Sequence, residues 1–194
     1  MDAMNTNRSI VVTPPATEAV TLTQAKKQLE LSPSDTTHDS QITLLIQAAR
    51  EQWENDTDTA VMQQSLSMTL PYFPIEIHLQ KRPVQSVTSI TYYDTADNLA
   101  TVPTSIYSLD ISSRVVRENY LKDWPMTVDR WDAVTVNYIA GHASAATVPA
   151  IAKQAMLLLI GHYFENRDMV MSEAMMSVSA YEALVRRYMR STYP

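Results

Sequence analysis

Only two glycines, Gly141 and Gly161, stand in a chain of 194 residues. Loops that cradle phosphates need several glycines at fixed spacing, because the backbone must turn tightly and approach the phosphates with no Cβ in the way. P-loop, Rossmann and kinase-like folds are therefore excluded. Turns must draw instead on the ten prolines and on Asn, Asp and Ser, which pre-set or tolerate turn dihedrals. The absence of cysteine removes disulfides, thiolate nucleophiles and Cys-based zinc sites together.

Apolar residues make up 45% of the chain and charged residues 19%, which is globular usage and enough for one domain, or one domain with an insertion. The net charge of -6 argues against a tight nucleic-acid binder, whose affinity rests on clustered Lys and Arg facing phosphates. Transient proximity to DNA stays compatible with it. No apolar run approaches the ~20 residues that span a bilayer, and Met1 to Pro15 has no charged-then-apolar signal pattern. A soluble protein without membrane contact is expected.

Hydrophobic spacing divides the chain into four stretches. Residues 1–20 are rich in Ser, Thr, Asn and Pro, with Ile10-Val11-Val12 closed off by Pro14-Pro15, and read as an extended N-terminal arm. Residues 21–59 hold two helices. The first carries Leu22, Ala25 and Leu29, and the second, capped by Asp39 or Ser40, carries Ile42, Leu45, Ile46, Ala49 and Trp53. In residues 60–140 the period changes to two, as in Leu66-Met68-Leu70, Ile75-Ile77-Leu79 and Val134-Val136-Tyr138, and Val84 to Tyr93 and Leu99 to Val102 read as further strands. Arg114 to Trp131 reads as irregular with short strands. Residues 141–194 return to helix. Thr147-Val148-Pro149 fits a helix start with proline in the first turn, and the helix that runs to about Arg167 has almost no polar face. The last helix carries Met175, Val178, Tyr181, Val185 and Tyr188, with Arg186, Arg187 and Arg190 in its final turns. The expected class is α+β: mainly an α-helical bundle, with two N-terminal and two C-terminal helices, around a central β-rich insert.

Chemistry-bearing patterns are sparse. His38, His78, His142 and His162 form no i, i+4 pair with an acid, so no metal site is expected; His162 reads as a core or interface histidine. There is no G-x-S-x-G elbow. Asp94 with Asp97 and Asp129 with Asp132 fall in loops, where paired acids serve as turn formers, and Glu165-Asn166-Arg167-Asp168 reads as a helix-end cap. The aromatics Tyr92, Tyr93, Tyr107, Tyr120, Trp124, Trp131 and Tyr138 invite a base-stacking or sugar-binding reading, but the basic residues such binding needs are thinly interleaved. Met169, Met171, Met175 and Met176 suit adaptable apolar packing. No catalytic residue and no cofactor is expected.

Several phrases stand in a recognisable order. They are Leu22-Thr23-Gln24-Ala25-Lys26-Lys27-Gln28-Leu29, Ala48-Ala49-Arg50-Glu51, Arg82-Pro83-Val84-Gln85-Ser86-Val87-Thr88-Ser89-Ile90-Thr91-Tyr92-Tyr93-Asp94, Val134 through Gly141-His142, and Val148-Pro149 through His162-Tyr163-Phe164-Glu165-Asn166-Arg167. In that order and spacing they resemble the tailed-phage head–tail connector (adaptor) family, of the gp6-like type, over roughly residues 20–170. The resemblance implies a structural protein of the virion neck, made in the host cytoplasm. It would form a ring of about twelve copies beneath the portal, through which genomic DNA passes without specific binding. The portal protein and a stopper or tail-terminator protein are the implied partners. Within that frame the subunit interface is expected at Met156, Leu159, Ile160, Tyr163, Phe164 and Arg167, and the portal contact at Tyr181, Arg186, Arg187, Tyr188, Arg190 and Tyr193. Gly141 matches the family's glycine after the last strand, where a positive φ is expected. The alternatives are another neck component, a stopper or tail-completion protein, or a carbohydrate- or nucleic-acid-binding module using the insert.

Overall fold

The computed structural model describes residues 9–166 and 175–192. Along the chain lie β1 (Ser9–Thr13), α1 (Leu22–Gln28), α2 (Asp39–Thr57), β2 (Gln64–Leu70), β3 (Ile77–His78), β4 (Val84–Tyr93), β5 (Leu99–Thr101), β6 (Tyr107–Asp110), β7 (Val115–Glu118), β8 (Val134–Ala140), a 3₁₀ turn (Ala145–Thr147), α3 (Ala150–Glu165) and α4 (Met175–Thr192). They fold as two units, one of Met1–Ala16 with Gln63–Gly141 and one of Thr17–Met62 with His142–Pro194. Strands fill the first and helices the second, which is an α+β arrangement.

The strand unit holds two antiparallel sheets, one in the order β1-β2-β8-β4-β5 and one in the order β3-β7-β6. Alternation builds the first. Gln64, Leu66, Met68 and Leu70 of β2 and Val134, Val136, Tyr138 and Ala140 of β8 all point to the buried face, because successive side chains in a strand alternate sides. The register sets Leu66 opposite Tyr138 and Met68 opposite Val136, and Ile90 of β4 lies across Val136 from the other side. Within the stretch read as an extended arm, Ser9–Thr13 form an edge strand, in which Ser9 to Val11 pair with Met68 to Leu66. The alternation read through Ile75, Ile77 and Leu79 needs correcting at one end. Only Ile77–His78 is strand, and Ile75 is 88% exposed.

In the helical unit Thr21 caps α1 through a reciprocal box with Gln24, satisfying two otherwise orphaned N–H groups. Neither Asp39 nor Ser40 caps α2. His38 occupies that position without a side-chain bond, and Asp39 turns instead to the buried Lys26 ammonium at 2.5 Å. Lys26 also donates to the carbonyls of Asp35 (2.8 Å) and Pro33 (3.3 Å), so a single cation ties down the α1–α2 turn. Pro149 sits at the N-cap of α3, with ψ 136°, one step earlier than the first-turn position expected. Ile42, Ile46, Ala49 and Trp53 of α2 meet Ala152, Ala155, Met156 and Ile160 of α3 in one core.

Glycine poverty has a visible price in the backbone. Glu30, Asp58, Lys81, Asp97, Arg114 and Leu121 all take φ between 50° and 62°, a region that costs an L-residue about 1–2 kcal/mol. Gly141 has φ 104°, as expected after the last strand. Its N–H donates to the Pro83 carbonyl at 2.8 Å.

Candidate assembly surface

The helix α3 has two faces of different fate. Ala152, Ala155, Met156, Leu159 and Ile160 are buried against α2 and α4, at spacings that keep them on one side. Of the residues expected at a subunit interface, Met156 and Ile160 are 0% exposed and Leu159 8%, so their surface is consumed inside the single chain. Tyr163 and Phe164 are half-buried and packed on the same core, and Phe164 meets the His38 ring edge-on at 5.6 Å. Arg167 lies outside the described residues.

The opposite face of α3 presents Ile151, Gln154, Leu158, Gly161, His162 and Glu165, each half-buried or exposed. Their spacing places them in a stripe about a quarter-turn wide. A Cβ added at Gly161 would meet nothing within 4 Å. Glycine in mid-helix costs roughly 0.8–1.0 kcal/mol relative to Ala, and no close approach among the described residues compensates for it. At the helix end Asn166 donates to the His162 carbonyl from its N–H (3.0 Å) and its side chain (2.9 Å), which satisfies an orphaned acceptor. Capping is thus the part of the Glu165–Asp168 cluster that the described residues display.

The inner face of α4 is aromatic and apolar. Tyr181 is 6% exposed and its ring lies 6.3 Å from that of Trp53, with Tyr188 at 5.2 Å from the same indole. The Tyr181 hydroxyl donates to the Asp56 carboxylate at 2.7 Å. Burial first, then this bond, hold its phenol well above the ordinary range, since both disfavour the phenolate. Tyr163 is raised as well, by burial and by the charge of Asp56. Tyr181 and Tyr188, two of the residues expected at a portal contact, therefore anchor the helix within the protomer. Arg186, Arg187 and Arg190 are exposed on the outer face, where with Ala183 they line an open groove of about 610 Å³. Arg186 pairs with Glu182 at 3.0 Å; Arg187 and Arg190 meet no acid among the described residues. Tyr193 lies outside the described residues.

The aromatics of the insert are largely spent on packing. Trp124 stacks on Phe73 at 4.6 Å and 3° and lies 6.3 Å from Tyr107, while Arg130 covers the face of Tyr93 at 4.0 Å. Arg130 in turn grips Asp132 and Asp97, which hold its guanidinium firmly charged. Tyr120 and Trp131 are left open, at 90% and 79% exposure. No three His, Asp or Glu side chains converge as a metal would require among the described residues. Nor is any described helix long and apolar enough to cross a membrane.

No protein-family model and no curated protein matches the chain. Solved structures do. A chain of the virion of a native gene transfer agent particle aligns over 93% of this chain and 94% of its own, with TM-score 0.75 and 21% identity. A chain from the neck of the empty gene transfer agent particle, computed with C6 symmetry, aligns over 90% and 94%, with TM-score 0.71 and 20% identity. One from the neck of the native particle, computed with C12 symmetry, gives TM-score 0.65 at 21% identity over the same shares. The fold of this chain is the fold of those chains.

Sequence reasoning missed the two open edges of the larger sheet. Ile10, Val11 and Val12 on β1 are 61%, 49% and 60% exposed, and Leu99 on β5 is 64% exposed. The signal was present as an uncharged β-branched run ahead of Pro14-Pro15, which reads as a strand as readily as an arm.

Proposed function

We propose that the chain is a head–tail connector (adaptor) of a tailed-phage-like particle, a structural protein with no catalytic role that sits in the virion neck. The observation that carries the reading is the fold likeness over 93% of the chain to a gene transfer agent virion chain. The ordered phrases of residues 20–170 support it independently. In this reading about twelve copies close into a ring through heterologous contacts, as the C12 symmetry of one neighbour's neck suggests. The four helices then work as the two halves of one bundle. Its α3 stripe of Ile151, Leu158 and Gly161 meets the next copy in place of Met156, Leu159 and Ile160, while Tyr163 and Phe164 stay packed on the protomer's own core. Arg186, Arg187 and Arg190 face the portal protein, and a stopper or tail protein follows on the other side. The net charge of -6 suits a channel that DNA crosses without being gripped.

Co-sedimentation with tail-less, DNA-filled heads of the parent particle tests the assignment. Saturable binding to heads that carry only the portal is expected. Binding only to heads that already carry an adaptor would make the chain a stopper or tail-completion protein, and no binding to either would overturn the neck reading.

A further inference from the structure

We infer that the open edges of the five-stranded sheet, β1 and β5, pair with each other between successive copies of this chain, so that the sheet continues from subunit to subunit. The inference rests on the ring reading above and adds a strand contact to it.

Register shows which backbone groups are available. The Ser9 N–H goes to the Gln80 side chain at 2.9 Å, so its pairing with Met68 is of the type without ladder bonds. Such pairs alternate along an antiparallel ladder, which makes Val11, two residues on, a second position whose N–H and C=O face away from β2. At the other end, Asp94 N–H bonds to Asn98 and Val102 N–H to Ile90. Ala100 then bonds inward, and Leu99 and Thr101 present their N–H and C=O outward from β5. The sheet thus offers Val11 at one border, and Leu99 and Thr101 at the other.

Three observations favour a second copy as the occupant. Edge strands are ordinarily guarded by charge, proline or a covering segment, and neither Ser9–Thr13 nor Leu99–Thr101 contains a charged residue or a proline. The flanking side chains Ile10, Val11, Val12 and Leu99 are half to two-thirds bare, apolar area that a neighbouring strand would bury. Because the two borders lie at opposite ends of one sheet, joining them is a head-to-tail contact that repeats from copy to copy and can close into a ring. A β1–β1 contact would stop at a dimer. The register shift between Val11 and Thr13 limits the seam to a few residues, which suits a contact that forms on assembly and not before it.

The absence of cysteine makes the test clean. Val11→Cys, Leu99→Cys and the double variant are treated with a short bis-maleimide, in concentrated solution and on heads. The expected result is a ladder of covalent species running past the dimer for the double variant alone. Val11→Pro and Leu99→Lys, separately, should each cut the uncross-linked multimer population at least tenfold while the monomer keeps its circular dichroism. A dimer from Val11→Cys alone would show β1–β1 pairing and overturn the inference. Heads that bind the double variant without any ladder would overturn it too, and leave the adaptor assignment standing. Failure of the unmodified chain to bind heads would remove both.

Discussion

The Tyr181 hydroxyl and the Asp56 carboxylate meet at 2.7 Å, fastening α4 to α2 on the side opposite Arg186, Arg187 and Arg190. The aromatic side of α4 is thereby committed to the protomer and the basic side is presented outward. Truncating the chain before Arg186 would remove Tyr188 from Trp53 together with the arginines, so point variants separate docking from folding where a deletion cannot.

Tyr181→Phe removes one hydrogen bond to a charged acceptor and keeps the ring. The loss should be about 1 kcal/mol, since Asp56 is exposed and regains water, and should lower Tm by about 2–4 °C in a thermal melt followed by circular dichroism. Tyr181→Ala, which also empties part of the core, should cost about 3–5 kcal/mol.

The same contact sets an alkaline limit. Because the folded-state pKa of Tyr181 lies above its ordinary value of about 10, the unfolded chain loses the phenolic proton first as pH rises. The stabilisation is complete below pH 10 and declines above it. Urea midpoints between pH 8 and 11 should fall for the native chain and fall less steeply for Tyr181→Phe. The residual slope would come from Tyr163 and Tyr107, which burial also raises.

Lys26→Met tests the buried cation. It leaves Asp39 and the carbonyls of Pro33 and Asp35 without their donor, and because Asp39 keeps 29% exposure the cost should be about 2 kcal/mol, below that of a fully buried pair. Equilibrium urea unfolding reads it directly.

Gly161→Ala should act in opposite directions on the protomer and the assembly. With open space where the methyl would stand, helix propensity should stabilise the monomer by about 0.5–1 kcal/mol. If α3 packs closely on a neighbour there, the methyl should weaken binding to heads several-fold. A higher Tm with unchanged head binding would remove Gly161 from the contact.

Arg187→Glu with Arg190→Glu reverses two exposed charges that pair with no described acid. Stability should change by less than about 0.5 kcal/mol, and co-sedimentation with portal-bearing heads should be lost.

Much of the fold was legible because its strongest elements are periodic. Ile42, Ile46, Ala49 and Trp53 declare α2 by spacing alone, and Leu66, Met68 and Leu70 declare β2. The second sheet was harder, since β3, β6 and β7 are two to four residues long and a strand that short carries too little alternation to stand out. The assembly surface was legible only in outline. A helix with almost no polar face must be covered on several sides, but periodicity cannot say which of its faces the protomer itself consumes, and Met156 and Ile160 went inward while Leu158 and Gly161 did not. Tyr181 and Tyr188 were ambiguous for a related reason: aromatics suit an interface and a core equally, and their contacts with Trp53 could not be read from spacing.

Electron microscopy of the purified chain mixed with tail-less, DNA-filled heads of the parent particle tests the central claim most directly. The account predicts added ring density at the single portal vertex, with the portal's rotational symmetry, and its absence with the Arg187→Glu, Arg190→Glu variant. Heads whose portal vertex is unchanged at saturating protein would contradict it.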